Sequence, residues 1–469
     1  MTPPLPDTAP TTTAAAPAAA HLPRELGLLP ATALNMIDMV GIGPFVVLPL
    51  VMQLLGPYFM WAWIAGALLS VVDGLVWAEL GAAHPEAGGS YRFLRLAYGE
   101  HTWGRLLSFL YVWQTLVQAP LVLASGSIGF AQYFGYLVPL TEWWQPKLVS
   151  GTVVLLLVAL LYRRIGSVGR LGVTLWVGVL VLLLGLIGCG LWLGERAVPL
   201  LPTAADGAAN WPGLLLAAAL GQATVKTIYS YLGYYNVCHL GAEIKEPARV
   251  IPRAIFLSIL GIAALYLLLN YSVARVLPWQ VASQSEFIVS TFIEHLFGPG
   301  AAQIATALVL WVAFASLFAV LLGYSRIPYA AAADGEFLPV FARLHPTKHF
   351  PHVSLLVLGG LGFVFSLLFK LSEVISAILA MRILVQFVGQ AVGLVLLRRR
   401  RGTAGLPFRM PLYPLPVVLA VGSWLLILWS TGPAFMLSGL AMIAAGVVVF
   451  LLWSRRRRRW PFATAAQPD

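Results

Sequence analysis

Charge is what this sequence has least of. Only 10% of its 469 residues are Asp, Glu, Lys or Arg, while 59% are hydrophobic and the mean hydropathy is +0.85. A soluble domain carries roughly 25% charged residues, so a water-facing globular protein is excluded and an integral membrane protein is indicated. Cysteine is scarce too: the two present, Cys189 and Cys238, both lie in apolar segments, which excludes a disulfide framework and offers no metal site. The eight histidines show no ligand spacing. No nucleophile–base pattern supports a membrane enzyme, and no cofactor is indicated. The net charge of +11 is spread in short blocks beside apolar runs. It builds no basic, aromatic-interleaved face, so nucleic acid is not an expected partner. No Lys or Arg precedes Arg24 and no apolar h-region follows. Residues 1–24 therefore read as a disordered cytoplasmic tail rather than a signal peptide.

What the chain does have is long apolar runs. A spanning helix needs about 20 such residues. Runs of that order fall near 28–55, 58–82, 103–137, 147–163, 168–194, 211–240, 251–277, 301–333, 353–370, 373–397, 413–431 and 433–454, about twelve in all. With the N-terminus inside, 23 basic residues, from Arg24 through Arg455–Arg459, collect on the cytoplasmic side. Lys147, Arg196, Arg275 and Lys370 are the four on the other. That asymmetry places both termini in the cytoplasm of an inner- or plasma-membrane protein. The run Arg455–Arg459 reads as an anchor to anionic headgroups of the lipid bilayer.

Two runs are interrupted. The first contains Gly41-Ile42-Gly43-Pro44-Phe45, a cluster that a helix interior tolerates poorly, at about 1 kcal/mol per Gly and 3 for Pro. In hydrocarbon every freed backbone group needs a partner, so such a break survives only where it lines a cavity or site. The sixth run carries a weaker signal, Tyr229-Ser230-Tyr231-Leu232-Gly233-Tyr234-Tyr235-Asn236. Interruptions in runs one and six divide the first ten into two sets of five with opposite orientation. That pattern points to a transporter with a midplane site. Half-helix N-termini favour anions and C-termini favour cations, so a zwitterion suits both.

Five segments, in order, resemble the amino acid–polyamine–organocation (APC) superfamily of permeases. They are Gly41–Phe45; Ala78-Glu79-Leu80 with Pro85–Tyr91; Glu243–Arg253; Ser325–Gly335; and Arg409–Pro416. The resemblance covers residues 25–455 and implies an all-α polytopic membrane protein: a five-plus-five inverted repeat with broken helices 1 and 6, plus two peripheral helices. The expected division is a tail at 1–24, a ten-helix transport core at 25–402, two peripheral helices at 403–454 and a basic tail at 455–469. The implied function is secondary transport of α-amino acids by alternating access, either proton-coupled or by exchange. By the same resemblance, amides of Gly41, Ile42, Gly43 and Phe45 meet the substrate carboxylate. Carbonyls around Val40, and around Tyr229, Ser230, Tyr231, Leu232 and Gly233, meet its ammonium. Tyr229 or Tyr231 takes the place of an outer gate. Span five lacks the lysine used by many proton-coupled members, since its one basic residue is Arg170 near an end. Residues 138–147 hold no cysteine, so no disulfide-linked heavy chain is expected.

Four ionisable residues are candidates for gating or coupling. Asp38 precedes the first break by one turn and serves either as a gate or as a packing partner. Lys226, 15 residues after Trp211, lies about 22 Å into its span and could neutralise Asp38 or Asp73. Glu79 fits gating or loop anchoring. Arg382 shares a helix face with Gln386 and Gln390, which lines the pore or pairs internally. His239 suits an interhelical hydrogen bond better than a proton relay, and Ser316 suits packing better than cation binding. Two other readings stay open: a polyamine or organic-cation carrier with Asp38 as the ammonium partner, and a non-transporting amino acid sensor.

Overall fold

The computed structural model describes residues 22–199, 213–368, 378 and 380–462. Most of the expected N-terminal tail, the starts of the sixth and tenth apolar runs and residues 463–469 lie outside the described residues. Among the described residues the regular structure is helical, with two isolated bridges, Leu26 to Ile244 and Ala87 to Leu240.

The chain begins with α1 (Leu28–Met39), α2 (Gly43–Leu55) and α3 (Phe59–Ala83). Next come α4 (Ser90–Tyr98), α5 (Gly104–Leu137), α6 (Gln145–Leu161) and α7 (Ile165–Leu193). The second part opens with α8 (Gly213–Tyr231), the short α9 (Asn236–His239) and α10 (Pro247–Val276). It continues through α11 (Trp279–Ala282), α12 (Ile288–Phe297), α13 (Pro299–Tyr324), α14 (Arg326–Ala333) and α15 (His352–Leu368). A π-helical stretch, Ile383–Val388, leads into α16 (Gly389–Arg401), followed by α17 (Leu415–Ser430) and α18 (Pro433–Arg456).

Seven helical stretches among the described residues are long and apolar enough to cross a membrane; Gly43–Ala83 takes in parts of the first two apolar runs, and each of the other six overlaps one run. Four more apolar helices are shorter, at 10–17 residues. Large apolar side chains point outward on several of them, including Leu68, Leu184, Leu260, Ile304 and Leu426. Hydrocarbon accepts that surface and water does not. The chain is a multi-pass membrane protein.

Depth of burial orders the bundle. The most apolar part of Pro299–Ala333 is 72% buried, whereas that of Pro433–Arg456 is 17% buried, so α13 is central and α18 lies on the outside. Around the centre, α1 packs on α7, α10 and α13, while α2 and α3 both pack on α8. α5 packs on α13 and α15, and α17 covers α3 and α8. At the arginine-rich end, Arg326 on α14 makes a bidentate pair with Glu243 at 2.9 and 3.1 Å. Arg95 meets Asp334 at 2.8 Å, and Arg105 meets Glu336 at 2.9 Å.

Candidate functional site

The first break is short. α1 stops at Met39, and α2 restarts at Gly43 with Pro44 in its first turn, where a missing N–H costs nothing. Val46 N–H bonds Ile42 O at 3.2 Å. The first turn of α2 therefore leaves over the amides of Gly43 and Phe45.

The second break is seated directly on the first. α8 ends at Tyr231, and Gly233 adopts φ +128°, a conformation that favours glycine. A Cβ on Gly233 would lie 2.7 Å from Met39 N and 2.9 Å from the Asp38 carbonyl carbon, so only a glycine lets the two breaks approach this closely. Two side chains tie them together. Asn35 donates to Tyr234 O at 2.6 Å and accepts from Val237 N–H at 2.8 Å. Tyr266 on α10 directs its hydroxyl at Met39 O (2.8 Å) and at Ser230 O (3.2 Å).

Between the breaks lies a cavity of about 60 Å³, room for a few water-sized groups. Asp38, Gly41, Ile42 and Gly43 form one wall, and Tyr229, Ser230, Leu232 and Gly233 another. Ser316 and Tyr324 of α13, with Tyr235 and Arg382, complete it. Ser316 Oγ donates to Asp38 O at 3.3 Å. Tyr229 OH meets Ser125 Oγ of α5 at 3.1 Å. Arg382 Nε donates to its i+4 neighbour Gln386 at 2.7 Å, and the guanidinium lies over the rings of Tyr235, Phe387 and Tyr324 at 5.1, 5.4 and 5.7 Å. Ser230 Oγ and Arg382 Nη2 are buried with no hydrogen-bond partner among the described residues.

Comparison with known proteins places this architecture. The amino acid permease family matches residues 26–453. The chain belongs to that family. It is 26% identical over 418 residues to the serine/threonine exchanger SteT of Bacillus subtilis, covering 87% of this chain and 91% of the relative. It is 23% identical over 457 residues to the branched-chain amino acid permease BcaP of the same organism, covering 93% and 94%. A methylthioribose transporter of B. subtilis is 23% identical over 465 residues, covering 93% of this chain and 94% of the relative.

The remaining expected residues of the permease fall elsewhere. Tyr231 does not line the cavity. Its hydroxyl donates to Trp63 O at 3.1 Å, and its ring packs edge-on against Trp63 and Tyr266. Of the two gate candidates, only Tyr229 faces the cavity. The side chains of Val40 and Phe45 are buried in the apolar core, so any contact they make with the cavity is through backbone.

Lys226 is half-buried on α8 and off the cavity wall; among the described residues it makes no ion pair. The expected pairing with Asp73 is not formed, because that carboxylate already accepts from Tyr234 OH (2.5 Å) and Trp424 Nε1 (2.9 Å). The pairing with Asp38 is not formed either; Asp38 instead faces the cavity shared with Arg382. Glu79 is held at the arginine-rich end by Arg398 and by Met410 N–H at 2.6 Å, the arrangement of a loop anchor. His239 meets Tyr111 OH at 3.2 Å, the interhelical hydrogen bond expected of it. Ser316, expected to be a packing residue, reaches the carbonyl at the first break instead. Gln390 accepts from Ser90 at 2.5 Å, so it braces α4 rather than the pore.

Sequence reasoning did not single out Asn35, Tyr235, Tyr266 or Tyr324. Asn35 alone left a trace, a strongly polar side chain inside an apolar run one turn before Asp38.

Proposed function

We propose that this permease carries α-amino acids across the membrane by secondary, alternating-access transport, with the site between the two helix breaks. The observation that carries this reading is the seating of Gly233 against Met39. It brings a helix N-terminus and two helix C-termini around one cavity. Partial positive charge at the start of α2 suits a carboxylate, and partial negative charge at the ends of α1 and α8 suits an ammonium. In this reading Gly41, Ile42, Gly43 and Phe45 offer amides. Val40, Tyr229, Ser230, Leu232 and Gly233 offer carbonyls or wall, and Tyr229 closes the outer side. Arg382 in the same cavity repels a polycation, which favours an amino acid over a polyamine.

The same reading pairs α1–α2 with α8–α9 as the broken first and sixth of about twelve spans. The shorter helices α6, α15 and α17 count as spans, and residues 25–402 form the core around which α17 and α18 are peripheral. Excess arginine at one end supports reading that end as cytoplasmic, with both termini on that side. Spans one, two, six and seven rock against the rest, driven by a proton gradient or by exchange.

Purified protein in liposomes tests this with labelled amino acids, measured with and without a proton gradient and with and without internal amino acid. Saturable uptake is expected. Uptake of polyamines with none of any amino acid would overturn it. Gly43→Leu should abolish uptake, because a Cβ there already lies 3.1 Å from Ser230 Oγ; unchanged affinity would remove the carboxylate from this position.

A further inference from the structure

We propose that the substrates are α-amino acids with an anionic side chain, the aspartate–glutamate class, and that Arg382 is the residue that reads the second carboxylate. This rests on the transport site proposed above and adds its substrate class. Arg382 is 3% exposed. It lies on the cavity wall, where it contacts the Gln386 amide oxygen, the Tyr235 side chain and three aromatic faces. None of these carries a full negative charge. Nη2 is buried and unpaired among the described residues, although the fork geometry of a guanidinium suits two-pronged contact with a carboxylate. Asp38 lines the same cavity and interacts electrostatically with Arg382, but the two form no ion pair among the described residues.

The charges can be followed one by one as a substrate enters. The ammonium takes Asp38 and the carbonyls beside it. The α-carboxylate takes the start of α2. Arg382, which Asp38 otherwise balances across the cavity, is then left without an anionic partner. Leaving it so is unfavourable in a water-poor site. A side-chain carboxylate supplies the partner, a neutral side chain does not, and a cationic one adds repulsion. The cavity of about 60 Å³ favours a short side chain.

Counterflow in liposomes decides the matter, using aspartate, glutamate, asparagine, alanine, leucine and lysine, each labelled outside and unlabelled inside. Wild-type protein should carry aspartate or glutamate better than asparagine. Arg382→Gln should lower the aspartate-to-asparagine ratio by roughly ten- to a hundredfold, as expected for loss of a charged hydrogen-bond partner. Arg382→Lys should keep part of the preference. A wild-type preference for neutral amino acids, or an unchanged ratio in Arg382→Gln, overturns the assignment while leaving amino acid transport intact. No counterflow of any amino acid overturns the transport reading as well. Thermal unfolding of the detergent-solubilised wild type with the same six compounds needs no variant. Stabilisation by aspartate or glutamate supports the proposal, and stabilisation by neutral amino acids alone overturns it.

Discussion

Arg326 and Arg382 are equally buried, each 3% exposed, yet their surroundings are opposite. Arg326 makes its bidentate contact with Glu243, and its remaining nitrogen reaches Leu322 O at 3.1 Å and Ser325 Oγ at 2.8 Å. Arg382 has one amide oxygen, the Tyr235 side chain, three ring faces and a nitrogen that is unpaired among the described residues. Buried charge is expensive, and natural structures satisfy it wherever nothing else needs it. The arginine-rich end is therefore built to hold its shape, and the cavity is built with capacity left over.

The largest effect should come from breaking the satisfied pair. Glu243→Gln strands the Arg326 guanidinium and should cost about 3–5 kcal/mol of stability, read as a fall in thermal midpoint in detergent. Should Arg382→Gln destabilise as much, the contrast between the two arginines collapses. A middle-sized effect is expected at the seam of the two breaks. Asn35→Ala removes the donor to Tyr234 O and the acceptor for Val237 N–H. It should cost about 1–3 kcal/mol and weaken amino acid affinity, because the breaks lose their register. The smallest effect belongs to Ser230→Ala. Its hydroxyl has no hydrogen-bond partner among the described residues, so the thermal midpoint should stay put while uptake affinity falls. A clear drop in midpoint would show that this hydroxyl is structural.

Some of this was readable from the chain alone. Gly41-Ile42-Gly43-Pro44 marks a break because three of its four residues oppose a helix by local chemistry, and local chemistry is what a sequence displays. Arg382 and Gln386 were readable for the same reason, since i,i+4 neighbours meet on any helix. Tyr229 and Tyr231 were not separable. Two residues apart on a helix point to nearly opposite sides, and nothing in the sequence tells which side holds the cavity. Depth along a helix says nothing about direction around it, so the sequence did not show that Lys226 lies off the cavity wall. Asn35, Tyr235, Tyr266 and Tyr324 act through partners far away in the chain. Their roles come from packing between helices, which carries no period in the sequence. The helices α4 and α12 were likewise missed, being too short to stand out from the connections they occupy.

Tyr266 has a consequence of its own. Its hydroxyl stands within hydrogen-bonding distance of Met39 O and Ser230 O, one from each break, yet a phenol has one proton to give. That one proton is shared between the two carbonyls. An incoming N–H donor at either carbonyl can be met by the phenol turning to the other, with no backbone displaced, so the two helix ends share a single reserve of hydrogen-bonding capacity.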